Sequence, residues 1–149
     1  MDDYEKYEAD CEKIRKDNDN LLNDFESWLK TSGLKDKTIR NHAYNVDFYI
    51  NEFLLYEDAV KAKDGASNIG MFLGYWFIKK ASWSSPAQIK GNAASLKKFY
   101  QFLFEKNEIR KDDLDGLKEQ IKEGMPEWIA TISRYDDPSI TDMGEVWGV

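Results

Sequence analysis

Apolar side chains near the start of the chain recur at alternating spacings of three and four residues, and this period restricts what the chain can fold into. The stripe, with one polar member, consists of Tyr4, Tyr7, Cys11, Ile14, Asn18, Leu21, Phe25 and Trp28. A helix places such residues on one face, whereas a strand would scatter them over both faces. Helical spacing continues through most of the chain without a convincing run of strand alternation, so the sequence predicts an all-α fold.

The first half of the chain divides into three helical segments. The first is one helix, or two helices run together with a break near residues 17–20, and it ends at Gly33. The second runs from about Asp36 to about Tyr56. Its predicted buried face comprises Ile39, Ala43, Val46, Ile50 and Phe53. After a polar linker at residues 61–67, the run IGMFLGYWFI is apolar almost all round and should lie at the centre of a core.

The next helix has a strong start signal. Ser84 and Ser85 supply a hydroxyl cap, and Pro86 follows at the first helical position. Apolar residues then recur at helical spacing as far as Asn107, where this long amphipathic helix should end.

The sequence of the last part of the chain predicts two short helices and a tail. Residues 111–124 form an acidic helix that Gly124 should stop, a further helix opens at Pro126, and residues 137–149 are predicted to be extended. Three carboxylates sit where the acidic helix begins, and helix capping explains them better than a catalytic or metal-binding cluster does: Asp112, Asp113 and Asp115.

The composition bounds the class of protein. A chain of 149 residues is long enough for one core, and its aromatic content of 14% exceeds what a disordered chain would carry. Cys11 is the only cysteine, so an internal disulfide is excluded, and the residue is interpreted as a small buried apolar group. The start of the chain lacks a signal-peptide pattern and no apolar run is long enough for a membrane span. The sequence predicts a cytoplasmic protein without a membrane partner.

Charge is distributed unevenly along the chain. The net charge of −7 argues at face value against a nucleic-acid partner, because attraction to phosphate supplies sequence-independent affinity. Residues 29–106, however, contain twelve Lys and Arg against seven Asp and Glu, a net charge of +5. Residues 1–28 and 107–149 each have a net charge of −6. A basic centre lies between two acidic ends.

The order of the predicted helices resembles that of a known type of domain. A helix ending in FESWLKTSGL precedes a helix opened by Thr38-Ile39 in KTIRNHAYNVDFYINEFL. An aromatic-rich helix follows, and then a serine-started helix that runs into SLKKFYQFLFEKNEI. Together residues 19–109 resemble the amino-terminal core-binding (SAM-like) domain of tyrosine recombinases, the phage-integrase family. The resemblance implies a four-helix module that lies across one side of double-stranded DNA. Residues 1–18 would then be an acidic amino-terminal helix, and residues 110–149 an acidic helical extension and tail.

The chain departs from that family where catalysis is concerned. The family's arginines, histidine motif and nucleophilic tyrosine belong to a carboxy-terminal domain, and only about 40 residues follow the match. His42, the one histidine, lies in the module itself and is interpreted as a packed or capping imidazole. Either a catalytic half has been lost or the chain is a free-standing relative with another task. No phosphate-binding loop, metal-ligand spacing or nucleophile–base pattern occurs, so we expect no enzyme activity and no cofactor.

The resemblance implies that the starts of the second and fourth helices face DNA, and basic residues concentrate there. If the fourth helix buries Ile89, Ala93 and Leu96, then Ser95 turns to solvent together with its neighbouring lysines. Solvated lysines are also ordinary on helix surfaces, so the charge alone favours DNA only mildly. The predicted DNA-binding residues are Lys35, Lys37, Thr38, Arg40, Asn41, Tyr44, Lys79, Lys80, Ser85, Gln88, Lys90, Lys97 and Lys98.

The sequence thus leaves two hypotheses for function. The first is a non-catalytic DNA-binding module that assists or regulates mobile-element recombination. The second is a protein-interaction module, either a homodimer or a partner of a separate catalytic recombinase. The stripe from Tyr4 to Trp28 has coiled-coil spacing, and Asn18 at a core position can define a pairing register. The simpler alternative is that the residues from Tyr4 to Ile14 pack on their own bundle.

Overall fold

The computed structural model describes residues 2–81, 83–140 and 143–147, and this part of the chain is helical with no strand. The all-α prediction is therefore confirmed. Seven α-helices are present in these ranges: α1 Asp3–Thr31, α2 Asp36–Asp47, α3 Ile69–Met71, α4 Phe77–Lys80, α5 Pro86–Glu105, α6 Lys111–Tyr135 and α7 Met143–Trp147. Among the residues described, none of the helices has the length and apolar composition needed to cross a bilayer.

Helix α1 is continuous and has no break near residues 17–20. Asp2 caps its start by accepting a 2.7 Å hydrogen bond from the Glu5 N–H, and Gly33 follows its end with a φ of 83°. This left-handed conformation is cheap for glycine and stops the helix where predicted. Asn18 is buried inside the helix and donates a 2.7 Å hydrogen bond to Asn51 Oδ1. The helix thus crosses the predicted boundary between residues 18 and 19.

The first half of α1 packs on its own bundle. Cys11 and Ile14 form a small buried cluster with Leu55, and the Tyr7 hydroxyl donates to the Leu55 carbonyl. The interpretation of Cys11 as a buried apolar residue is confirmed. Tyr4 lies outside this cluster and is largely exposed. The coiled-coil spacing of α1 is therefore used mainly inside the molecule.

The predicted second helix is α2 followed by a π-helical segment, Phe48–Phe53. Its expected face is buried, except that Phe53 is half-buried. The polar linker predicted after it is wrong in part, because two 3₁₀ turns, Ala62–Asp64 and Ala66–Asn68, fold into the core. The Tyr49 and Tyr100 hydroxyls each donate a 2.7 Å hydrogen bond to a backbone carbonyl of this segment.

The apolar run forms α3 and α4, joined by a π-helical turn, Phe72–Trp76. Phe72, Leu73, Phe77 and Ile78 are fully buried in the main core, as predicted for a central helix. Ser85 then caps α5 by accepting a hydrogen bond from the Gln88 N–H at 3.1 Å, with Pro86 at the first position.

Helix α6 differs from the prediction in two respects. Gly124 does not stop it, and Pro126 lies inside it instead of opening another helix. The helix continues because its apolar face is buried as one stripe against the rest of the core, which outweighs the cost of about 3 kcal/mol for an interior proline. The predicted extended tail is also wrong for Met143–Trp147, which form α7. Arg134 Nε donates to the Val146 carbonyl at 3.0 Å and ties α7 to α6. Residues 141, 142, 148 and 149 of that tail lie outside the described residues.

Candidate functional site

A groove of about 430 Å³ lies between α2 and the first half of α5. Side chains from both helices form its walls, together with one tryptophan that precedes α5. The lining residues are Thr38, Asn41, His42, Tyr44, Asn45, Trp83, Ala87, Gln88, Gly91, Ala94 and Ser95. We call this surface the α2–α5 groove.

Small residues of α5 create the depth of the groove. Ala87, Gly91 and Ala94 follow one another at spacings of four and three, so they share one face of the helix. A Cβ added to Gly91 would meet no heavy atom within 4 Å. On another face of the same helix, Ile89 and Leu96 are fully buried in the core. The core therefore holds α5 in place while its small-residue face stays open.

Ser95 links the two helices inside the groove. His42 Nδ1 lies 2.7 Å from Ser95 Oγ, and Asn45 Nδ2 donates to the same oxygen at 3.0 Å. Ser95 Oγ also lies 3.0 Å from the Gly91 carbonyl oxygen, which can only accept. All three contacts are satisfied together only when the hydroxyl donates to the carbonyl and Nδ1 carries the imidazole proton. Nε2 of His42 is then left as an acceptor.

The imidazole of His42 is neutral at neutral pH. Burial lowers the pKa of His42, and the positive charge of Lys98 lowers this pKa further. The sequence interpretation of His42 as a packed imidazole agrees with its half-buried position and its bond to Ser95.

The prediction that Ser95 faces solvent is wrong, because this residue is 0% exposed. A serine is short enough to fit between α2 and α5, and its hydroxyl finds partners on both helices. In this arrangement His42 Nδ1 donates to Ser95 Oγ and cannot accept its proton, so the pair is not arranged as a nucleophile and its base.

Two aromatic side chains at the groove keep large exposed areas. Tyr44 is 58% exposed and Trp83 is 43% exposed. The Trp83 ring packs edge-to-face on Phe48, with ring centroids 5.3 Å apart, so part of the indole is anchored while the remainder faces solvent. Sequence reasoning missed Trp83, His42, Asn45 and Ser95 as members of one site.

A signal for these residues was present in the sequence. The small residues of α5 recur on one face, and two asparagines on α2, Asn41 and Asn45, lie one helical turn apart. The sequence pattern does not show that the small-residue face of α5 meets the asparagines of α2, because it does not show that these two helices pack together.

Among the described residues, none that lines the α2–α5 groove carries a carboxylate. Four other surface cavities of the described chain each include at least two Asp or Glu side chains. The described lining of the groove contains no Lys or Arg either, so this cavity carries no formal charge, whereas the other four include charged side chains.

The structure brings four of the predicted DNA-binding residues together in the groove: Thr38, Asn41, Tyr44 and Gln88. Lys98 lies close enough to His42 to lower its pKa. Four further lysines are exposed on α2, on α5 or just before α2, without lining the groove: Lys35, Lys37, Lys90 and Lys97.

The remaining predicted residues lie elsewhere or serve the fold. Arg40 lines a separate depression between α1 and α2, with Glu26 and Asp36 in its wall. Lys79 Nζ lies 5.5 Å from the centre of the Tyr75 ring, and Lys80 Nζ lies 5.2 Å from that of Tyr56. Ser85 is used as the cap of α5.

Within the described ranges, no group of three or more His, Cys, Asp and Glu side chains is arranged to hold a metal ion. Comparisons with protein-family models, with curated proteins and with solved structures found no match for this chain.

Proposed function

We propose that the chain is a non-catalytic, cytoplasmic DNA-binding module related to the core-binding domain of tyrosine recombinases. In this proposal it docks on DNA through the α2–α5 groove and assists or regulates recombination, alone or beside a separate catalytic recombinase. The observation that carries the proposal is the composition of the groove. Four of the predicted DNA-binding residues line it, and none of its described lining residues carries a carboxylate.

The chemistry of the surface supports two kinds of contact. Asn41 and Gln88 carry amides that can donate and accept hydrogen bonds at base edges. The exposed lysines Lys37, Lys90 and Lys97 are available for phosphate, and they belong to the basic centre of the chain.

The test is a titration of labelled duplex DNA at about 50 mM and about 200 mM salt, because phosphate contacts make affinity fall steeply between these concentrations. One variant combines Lys37→Ala, Lys90→Ala and Lys97→Ala. A matched control combines Lys13→Ala, Lys118→Ala and Lys122→Ala, which are exposed on α1 and α6 and change the net charge equally. We expect the first variant to bind more weakly and to lower the salt slope by about one for each lysine–phosphate pair that it removes. A salt-independent affinity, or equal binding by both variants, contradicts the proposal.

A second candidate function is protein association, and a different surface favours it. Met71 is 61% exposed, and the exposed Tyr75 packs on Trp147 with ring centroids 4.8 Å apart. Tyr135 is also exposed and extends this apolar surface, with its ring centroid 6.0 Å from that of Trp147. Sedimentation velocity should show a dimer that Met71→Lys dissociates if the second function holds, with Lys118→Ala as the control. A monomer at all concentrations contradicts self-association.

A further inference from the structure

The α2–α5 groove is concave, and its shape restricts which form of DNA can enter it. A duplex offers grooves of its own, which receive projecting elements such as helices. A concave site instead receives a ligand that projects, and the volume of about 430 Å³ falls within the range of roughly 300–1,000 Å³ typical of small-ligand pockets. A base that has left the stack projects in this way.

The aromatic side chains of the groove present flat faces that a paired base cannot use. Tyr44 and Trp83 both line the groove and are both exposed. Bases inside a duplex are stacked on each other and show only their edges, whereas an unpaired base shows its whole face to an aromatic ring. The exposed rings therefore favour an unstacked base.

The polar wall supplies partners for the edge of such a base. Asn41, Asn45 and Gln88 offer amide donors and acceptors, and His42 Nε2 remains an acceptor while Nδ1 is bonded to Ser95. Every one of these groups is neutral, so none of them competes with phosphate for the lysines nearby.

We propose that the α2–α5 groove binds an unpaired nucleobase, so that the module prefers single-stranded DNA, or duplexes with an unpaired base, to fully paired DNA. The inference rests on the proposed function and names the substrate class of the same site. Tyr44 stacks on the base, the amides contact its edge, and the exposed lysines of α2 and α5 contact the flanking phosphates.

The experiment compares three labelled DNAs of equal length at one salt concentration: a single strand, a paired duplex, and a duplex with one bulged base. The test variant is Tyr44→Leu, which keeps an apolar side chain at an exposed position but removes the aromatic face. The matched control is Tyr4→Leu, since Tyr4 is also exposed, at 67%, and lies far from the groove in sequence. Circular dichroism confirms that both variants are folded.

We expect the single strand and the bulged duplex to bind more tightly than the paired duplex. Tyr44→Leu should weaken binding of these two DNAs about tenfold, the scale of removing one base–aromatic stack, while Tyr4→Leu leaves it unchanged. A fluorescent adenine analogue at the bulge should be quenched by the wild type and less so by Tyr44→Leu.

Two results overturn the inference and can be told apart. If the paired duplex binds as tightly as the single strand and Tyr44→Leu has no effect, the inference fails while the proposed DNA-binding function stands. If none of the three DNAs binds, both fail, and the protein-association function is favoured instead.

Discussion

At the scale of single residues, Ser95 connects the fold to the candidate site. Its hydroxyl joins His42 and Asn45 of α2 to α5, and its burial keeps these hydrogen bonds away from bulk water. Buried polar groups are stabilising only while each has a partner, so loss of one hydroxyl affects several groups at once.

Ser95→Ala should lower the free energy of unfolding by about 1–3 kcal/mol, because it leaves the partners of the hydroxyl unsatisfied. Chemical denaturation measures the difference. The control is Ser133→Ala on the exposed side of α6, which should change stability by less than about 0.5 kcal/mol. Equal effects of the two substitutions would contradict the role given to Ser95.

Protonation of His42 should make the free energy of unfolding decrease as the pH falls. Because its pKa is lower in the folded protein than the ordinary value of about 6.5, the unfolded chain takes up the proton first as the pH falls. Stability should therefore be complete above about pH 6.5 and decrease below it, until the folded pKa is reached. The free energy of unfolding, measured above and below this pH, should fall less for His42→Gln than for wild type. An identical pH dependence would show that His42 does not contribute.

At the scale of elements, α3 and the π-helical turn Phe72–Trp76 pack closely on a tryptophan of α6. Trp128 is buried against Gly70 and Gly74, and Gly124 lies one turn before it on its own helix. A side chain at Gly74 would occupy space that the indole fills. The packing of this indole also helps to keep α6 helical through Pro126.

Gly74→Ala tests this packing. The added Cβ would lie 2.8 Å from Trp128 Nε1 and 2.9 Å from its Cδ1, so the indole must shift. We expect a loss of about 1–3 kcal/mol in the free energy of unfolding, as for other overpacked cores. Gly116→Ala on α6 is the control, because its Cβ meets nothing within 4 Å and should stabilise the helix by about 0.5–1 kcal/mol. Stabilisation by both substitutions would contradict the tight packing.

At the scale of the whole molecule, the acidic ends and the basic centre act on a charged ligand together. The screening length is about 30 Å at 0.01 M salt and about 8 Å at 0.15 M. Carboxylates far from the groove therefore repel DNA at low salt and cease to do so at moderate salt.

The combined variant Glu5→Gln, Glu8→Gln and Asp10→Asn, at exposed positions of α1, raises the net charge from −7 to −4. Its affinity for DNA should exceed that of wild type at about 0.01 M salt, and the two affinities should converge at about 0.15 M. Titrations at the two concentrations measure this. A difference that persists at moderate salt would indicate a local contact between α1 and the ligand instead.

Local chemistry determined much of the fold from the sequence alone. The period of three and four residues defines helices, Gly33 stops α1 by its positive φ, and Ser85 with Pro86 starts α5. Each of these features depends on residues within one or two helical turns, and so it can be identified without knowing what packs against it.

Contacts between distant residues decided the rest. Tyr49 and Tyr100 draw the polar segment into the core across sequence separations of 16 and 38 residues, and the burial of one continuous face keeps α6 intact beyond Gly124. The α2–α5 groove depends on the meeting of His42 and Ser95, which are 53 residues apart. A local sequence pattern cannot predict such a contact, because the contact depends on which helices pack against each other. Helices and their ends thus follow from neighbouring residues, whereas the side chains that share a site are set by packing between helices far apart in the chain.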